Sequence, residues 1–222
     1  IPEEFSYGQR KLPADFDPVS SAMIITFREV LSTMKAFGFS ENKSLVVLGL
    51  GPVGLSFVQF AKLMGMGPII AIDIDDNKLE LAKKRGADYT ISSKKSDIVK
   101  SVREVCLNGV DFACDAVGIT SFINTALEII KPDAKVCVYG ISENMTETID
   151  WSKCPYNWEL HFHQFPSKKA ESDAHNQIVS WIQAGILNPS DYVSHVYDFE
   201  DIDKAFDNIK NHVPMMKMVI KF

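Results

Sequence analysis

The chain has 222 residues, of which 46% are hydrophobic and 23% are charged, and its formal net charge is −6. This balance is that of a folded globular protein, and the acidic charge argues against a nucleic-acid partner. The sequence contains no apolar run of the ~18 residues that a membrane span needs, so no membrane role is expected.

A helix is predicted over residues 22–37, and from Leu45 onward short apolar runs alternate with helical patterns. Strands are predicted at 45–48, 69–73, 89–91, 110–116 and 135–139, and helices at 53–64, 77–85, 97–105 and 121–130. Continuous apolar strands that alternate with helices are typical of a parallel sheet covered on both faces. The predicted fold class is therefore α/β, with a doubly wound parallel sheet.

The rhythm changes after Tyr139. A polar loop over 141–155 leads to a strand at 158–165, which is expected at the edge of the sheet. Beyond a boundary at Ser167 the pattern predicts a helix at 172–184, an extended piece at 192–197, a helix at 201–209 and a strand at 217–221. These last pieces do not obviously belong to the central sheet.

A glycine loop of sequence GLGPVG, Gly49–Gly54, follows the first strand and opens a helix. In a GxGxxG loop the first glycine permits the turn, the second lets the backbone approach a pyrophosphate, and the third lets helix and strand pack closely. Backbone N–H groups at the helix N-terminus face the anion, and Pro52 suits the first helical turn. The pattern alone is weak, but here its context also matches.

Asp73 ends the second strand, where a carboxylate can accept hydrogen bonds from the ribose hydroxyls of an adenosine. It would repel a 2′-phosphate, and Asp75 and Asp76 follow without an arginine nearby, so NAD is favoured over NADP. Two alternatives remain open: Asp73 caps the next helix, or the loop is a tight turn that binds no nucleotide.

With these motifs placed, the chain resembles the medium-chain dehydrogenase/reductase superfamily, in particular its zinc-type alcohol and polyol dehydrogenases. The resemblance covers nearly the whole chain and rests on the segments 11–19, 45–54, 71–73, 115–118, 127–132, 194–197, 201–206 and 217–222. It implies reversible hydride transfer between an alcohol carbon and nicotinamide, with the hydride chemistry belonging to the cofactor. A small-molecule alcohol or carbonyl substrate and a homodimer, or a higher homo-oligomer, are likewise implied.

The expected cofactor-binding residues come from the motif and the resemblance together. Gly49, Gly51, Pro52, Val53 and Gly54 would lie at the pyrophosphate, Asp73 and Lys78 at the adenosine ribose, Val117 and Gly118 near the nicotinamide half, and Lys217 at the pyrophosphate. No catalytic residue is assigned. The predicted organisation is a linker or remnant of a catalytic domain at 1–24, a dinucleotide-binding (Rossmann) domain at 25–166, and a C-terminal return to the catalytic domain at 167–222.

The sequence departs from the family pattern at the metal. The family carries an N-terminal β-rich domain that supplies two zinc ligands, and this domain is absent from the 222 residues. The third ligand position, counted back from Gly49, falls on Ile25, with Glu29 one helical turn away. Because a hydrocarbon side chain is a poor zinc ligand, this chain does not support zinc, although the full-length protein could bind it. His161 and His163 are spaced to share one face of a strand, but an ordinary surface or interface role is favoured for them.

Three functions are therefore weighed. The leading one is the cofactor part of an NAD(H)-dependent alcohol or polyol dehydrogenase, inactive by itself. The alternatives are a zinc-independent reductase of the same superfamily and a non-catalytic NAD-binding module. The chain begins at Ile1 without an initiator Met, so we expect a piece of a longer protein or a processed form. Four cysteines without a CxxC pair, and no signal peptide, suggest the reducing cytoplasm.

Overall fold

The computed structural model describes residues 8–141, 144, 146–211 and 213–222. The chain divides into two compact units, one of Thr33–Phe165 and one that joins the chain up to Ser32 with Pro166–Phe222. The division predicted at 1–24, 25–166 and 167–222 stays a prediction about domain organisation, and its first seven residues lie outside the described part of the chain.

The elements follow the chain in the predicted alternation. The helices are α1 (Pro18–Ser21), α2 (Met23–Phe37), α3 (Pro52–Leu63), α4 (Asp76–Lys84), α5 (Ile98–Val105), α6 (Phe122–Ile129), α7 (Lys168–Gln183) and α8 (Ile202–Lys210). The strands are β1 (Leu45–Leu48), β2 (Ile69–Asp73), β3 (Tyr89–Ser92), β4 (Val110–Asp115), β5 (Ile130–Val138), β6 (Trp158–Phe162), β7 (Val193–Asp198) and β8 (Lys217–Lys221).

The unit Thr33–Phe165 holds one six-stranded sheet in the order β3-β2-β1-β4-β5-β6, with every neighbouring pair parallel. This confirms the predicted doubly wound parallel sheet and the edge position of β6. The strand order reverses at β1, whose neighbours are β2 and β4. In such sheets ligands bind in the crevice at the carboxyl ends of the strands at this point.

Both faces of the sheet are covered, which explains why β1, β2 and β4 are buried at every position. On one face, the side chains of Val46 and Ile70 join Val102 of α5 and Leu127 of α6 in one apolar cluster. Aromatic rings also pack together in this unit: the ring centroid of Phe39 lies 4.6 Å from that of Phe112 and 6.3 Å from that of Phe57 in α3.

Three predicted boundaries were wrong. Helix α7 begins at Lys168 rather than 172, because the Ser167 hydroxyl accepts the Ala170 N–H at 3.2 Å and caps it. Strand β5 begins at Ile130, which pairs with Val110 across a register shift, so α6 ends directly into it. Strand β6 ends at Phe162, and the next backbone N–H, that of His163, still donates to Val138 O at 3.0 Å.

The other unit contains α1, α7, α8 and a two-stranded parallel sheet of β7 and β8. Within it, the Phe27 and Tyr192 rings meet edge to face at 5.0 Å, and the Arg28 side chain donates to the carbonyls of Glu171 and Gly8, each at 3.0 Å. Among the described residues, no helix is long and apolar enough to span a membrane.

Candidate functional site

The glycine loop leaves β1 with two positions that only glycine can fill. Gly49 has φ +87°, and a Cβ there would lie 2.0 Å from Val117 Cγ2. Gly54 sits in the first turns of α3, where a Cβ would lie 1.7 Å from the carbonyl oxygen of Gly49. The third glycine therefore lets the helix rest on the turn made by the first, as the motif predicts.

Gly51 differs from the other two glycines because a Cβ there would meet no atom within 4 Å. It is the N-cap residue of α3, and Pro52 and Val53 form the first helical turn after it. The space in front of Gly51 is thus open at a helix N-terminus, which is the place where backbone N–H groups and the helix dipole attract an anion.

Asp73 braces this loop. Its Oδ2 accepts the Leu50 N–H at 2.7 Å, and its Oδ1 accepts the Asp75 N–H at 2.9 Å. The N-cap of α4 is Asp75, whose carboxylate accepts the Asn77 N–H at 2.9 Å. Asp73 is therefore not the cap of that helix, and the first of the two alternatives for this residue is removed.

The opposite wall comes from the turn after β4. The carboxylate of Asp115 accepts backbone N–H groups from Val117 and Gly118 with Oδ1 and from Ile119 with Oδ2, at 2.9–3.0 Å. Burial raises the pKa of Asp115, while those three N–H groups lower it. Asp115 belongs to the segment 115–118 that resembles the family, but no role was predicted for it. Its place at the end of an apolar strand, like that of Asp73, was the available signal.

These parts enclose one cavity of about 410 Å³ at the carboxyl ends of β1, β2 and β4. Its lining includes Gly49, Gly51, Asp73, Lys78 and Val117 from the predicted set, together with Leu48, Leu50, Ile74, Ser93, Ala116 and Ile119. Ile74 and Ile119 are 58% and 45% exposed, so the cavity offers two apolar surfaces beside the carboxylate.

The remaining predicted residues have definite places. Gly54 lies behind the loop, against the Gly49 carbonyl, and Gly118 lies in the Asp115 turn. Lys217 belongs to the other unit, where it begins β8 and pairs with Val193.

A zinc site is not formed by the residues that the structure describes: no group of three or more His, Cys, Asp or Glu side chains there could hold a metal ion. Ile25 is 59% exposed. Burial, reinforced by Glu171, raises the pKa of Glu29. The rings of His161 and His163 both meet Phe37 edge to face, at 6.4 and 6.0 Å. Their shared face is thus a packing face.

Comparison with known proteins gives a family match. A family model described as "Zinc-binding dehydrogenase" matches residues 52–176. The D-xylulose reductase A of Aspergillus niger is 26% identical over 215 residues, which cover 95% of this chain and 58% of that protein. The L-threonine 3-dehydrogenase of Bacillus velezensis is 27% identical over 198 residues, covering 89% and 56%. The chain therefore spans a little over half the length of these relatives.

Solved structures share the fold. A short chain alcohol dehydrogenase from E. coli CFT073, complexed with the cofactor NADH, superposes with a TM-score of 0.82 at 22% identity, covering 96% of this chain and 62% of that one. A structure from Sinorhizobium meliloti 1021 bound to NADP gives a TM-score of 0.82 at 21% identity, with the same coverage. The neighbours thus include an NADH complex and an NADP complex on one fold.

Proposed function

The chain belongs to the zinc-binding dehydrogenase family, and from that premise we propose that it is the cofactor-binding part of an NAD(H)-dependent oxidoreductase. The reaction proposed is interconversion of an alcohol or polyol and its carbonyl. One observation supports this most strongly: the open N-terminus of α3 at Gly51 and the Asp73 carboxylate line the same cavity.

The cavity fits the two recognition tasks of a dinucleotide site. A pyrophosphate needs an approach to backbone N–H groups, and the absence of any atom within 4 Å of a Cβ on Gly51 leaves that approach clear. An adenosine needs an acceptor for its ribose hydroxyls and apolar surfaces for its base, which Asp73 and the side chains of Ile74 and Ile119 would supply. Lys78 lines the same cavity.

The preference for NAD rests on Asp73. A carboxylate has about four lone-pair sites, and two are used by the N–H groups of Leu50 and Asp75. The remaining two can accept ribose hydroxyls, whereas a 2′-phosphate would bring negative charge against a buried carboxylate that is only 7% exposed. Related structures hold either NADH or NADP, so the fold alone does not fix the cofactor.

When bound, the nicotinamide supplies or accepts the hydride. The chain's own residues bind the dinucleotide, fix its register at the helix N-terminus and shape the walls of the crevice. The substrate class is proposed from relatives named for xylulose and threonine.

Calorimetric titration of the 222-residue chain with NADH and with NADPH tests the cofactor proposal. We expect NADH to bind more tightly, and Asp73→Asn to reduce that preference because the amide carries no charge. The matched control is Glu104→Gln, since Glu104 is an exposed carboxylate of α5 that does not line the cavity. Equal or tighter binding of NADPH by the unaltered chain would refute the NAD assignment.

We also propose that this chain alone has no dehydrogenase turnover, because it spans just over half the length of its relatives. Measured NAD reduction with any alcohol or polyol would contradict that. A non-catalytic NAD-binding module would give the same null rate, so the two are separated by assaying a longer protein that contains these residues.

A zinc-independent reductase is the second candidate, and Ile25 favours it, because a hydrocarbon stands at the position where the family resemblance implies a ligand. We derive no reaction step through zinc from this chain. Metal analysis of the longer protein decides between the candidates, since one tightly bound zinc near the nicotinamide would exclude the second.

A homodimer formed through β6 is proposed for the assembly. This strand lies at the sheet edge, and Leu160 and Phe162 on it are 44% and 56% exposed. Trp151 and Tyr156 extend the apolar surface and line a cavity of about 580 Å³ with Trp158. An exposed apolar edge strand favours pairing with another strand.

Light scattering at micromolar concentration should therefore give the mass of a dimer. Leu160→Lys should give a monomer, while Leu63→Lys, at a position of α3 that is 37% exposed against 44% for Leu160, should leave the dimer intact. A monomeric mass for the unaltered chain would refute the proposal.

A further inference from the structure

Asp115 is a buried carboxylate that lies just outside the lining of the cavity. The residue is 2% exposed and ends β4, where it pairs with Leu48 of β1 on one side and Val138 of β5 on the other. Within the described part of the chain, its side chain accepts three hydrogen bonds, each from a backbone N–H of the turn that follows it. A carboxylate that accepts several backbone N–H groups makes charge-assisted bonds, which are stronger than neutral ones.

The same residue also holds the neighbouring loop. Its backbone carbonyl accepts the N–H groups of Tyr139 and Gly140, each at 3.0 Å. The two loops then approach so closely that a Cβ on Gly118 would lie 2.3 Å from Ile141 O, and one on Gly140 would lie 2.0 Å from Gly118 N. Asp115 is thus the point at which the loops after β4 and β5 are joined.

Two side chains of the turn held by Asp115 line the cavity. Val117 and Ile119 both line it, and the Val117 side chain lies over the glycine loop, where it would touch a Cβ on Gly49. If the three N–H groups lost their acceptor, they would turn toward water, and these two side chains would move with them.

We propose that Asp115 is a positioning residue for dinucleotide binding: its carboxylate sets the conformation of the turn Val117–Ile119 and thereby the width of the cofactor crevice. The inference rests on the proposed function of the cavity. It assigns to Asp115 an effect on affinity that is separate from its effect on stability.

Strand β4 supplies its own control at the opposite end. Asp111 is also buried, and its carboxylate accepts the Ser44 N–H at 3.0 Å and pairs with Lys43 and Lys131 at 3.2 and 2.6 Å. It does not line the cavity. Asp111→Asn therefore perturbs the same strand with the same chemistry, away from the site.

The experiment compares the 222-residue chain with Asp115→Ala, Asp115→Asn and Asp111→Asn by thermal unfolding and by NADH titration. Asp115→Ala should weaken NADH binding at least about tenfold, which corresponds to about 1.4 kcal/mol. Asp115→Asn should fall between it and the unaltered chain, because one amide oxygen can still accept from Val117 and Gly118. Asp111→Asn should unfold at a lower temperature and bind NADH as the unaltered chain does.

Amide hydrogen exchange adds a readout that needs no ligand: the N–H groups of Val117, Gly118 and Ile119 should exchange faster in Asp115→Ala than in Asp111→Asn. Unchanged NADH affinity in Asp115→Ala, or an equal loss in Asp111→Asn, would overturn the inference while the proposed function stands. Failure of the unaltered chain to bind NADH would overturn both.

Discussion

Replacing Gly54 by Ala should lower the stability of the fold itself. The new Cβ would lie 1.7 Å from Gly49 O and 2.8 Å from Gly49 C, where ordinary contact begins near 3.4 Å. The loop and α3 must therefore separate by roughly 1.7 Å. The hydrogen bond from the Gly49 N–H to Ile72 O, at 2.8 Å, opposes this movement because it ties the loop to β2. Overpacking of this kind costs about 3 kcal/mol at the upper end of its usual range, and the gain in helix propensity from Gly to Ala returns about 1 kcal/mol.

The net loss of about 2 kcal/mol corresponds to a fall in Tm of about 4–8 °C for a chain of this size. Gly51→Ala is the matched control, because a Cβ there meets no atom within 4 Å. It should lower Tm by less than about 4 °C, through a poorer helix cap. It should nevertheless weaken NADH binding at least about tenfold, since the methyl group would stand where the backbone must approach the pyrophosphate.

Melting followed by circular dichroism gives the Tm of Gly54→Ala and Gly51→Ala, and NADH titration gives their affinity for the cofactor. The reasoning requires one variant to lose mainly stability and the other mainly affinity. It is refuted if Gly54→Ala melts at the same temperature as the unaltered chain, or if Gly51→Ala binds NADH with undiminished affinity.

Three further outcomes are expected. Burial alone would raise the pKa of Asp111, but bonds from Lys131, Ser44 and Lys43 lower it to about 2 from 3.8. The free energy of unfolding, measured with urea at each pH, should therefore fall by about 1–2 kcal/mol between pH 5 and pH 2 because of this group. In Asp111→Asn the fall over the same pH range should be smaller by that amount. Cys114 and Cys137 are buried, which raises the pKa of their thiols, whereas Cys106 and Cys154 are partly exposed. The two buried cysteines should therefore react with a disulfide reagent only in denaturant, and rapid modification of all four in buffer would contradict that. Ser167→Ala should lower Tm by about 2–4 °C through the lost cap of α7, and an unchanged Tm would show that the cap contributes nothing.

The central sheet could be predicted from the sequence because its signals are local. A βα unit is indicated within 20 residues by the four apolar residues Leu45–Leu48, the glycine loop and the amphipathic helix. The helices before Gly65 and Gly86 end at these glycines, whose φ angles are positive, at +74° and +108°. The boundaries that were wrong depend on less local information. The start of α7 is set by one hydroxyl of Ser167, and the start of β5 by pairing with Val110, 20 positions earlier.

The candidate site divides in the same way. Gly49, Gly51, Gly54 and Asp73 are recognisable because their spacing is fixed by one turn and one strand, and the structure brings them together. The role of Asp115 could not be assigned, because it depends on which backbone groups surround it. Its two carboxylate oxygens accept three N–H groups two to four residues ahead, and its carbonyl accepts two N–H groups from the loop after β5. A sequence records the residue type but not which backbone groups surround it.

Asp73 and Asp115, which end the two strands beside β1, make similar hydrogen bonds but differ in their relation to the cavity. Each ends a neighbouring strand and directs its oxygens at the backbone of a loop that lines the crevice, but Asp73 also lines the cavity and Asp115 does not. Under the proposed function, cofactor choice and loop geometry are coupled at Asp73, because a substitution made to admit a 2′-phosphate also changes the acceptor of the Leu50 N–H. A change to Ser or Gly should weaken both dinucleotides by loosening the glycine loop. Asn keeps one acceptor oxygen for the Leu50 N–H but removes the charge and the acceptor of the Asp75 N–H. Switching the cofactor by replacing Asp73 should for this reason require a residue that still accepts a hydrogen bond from Leu50.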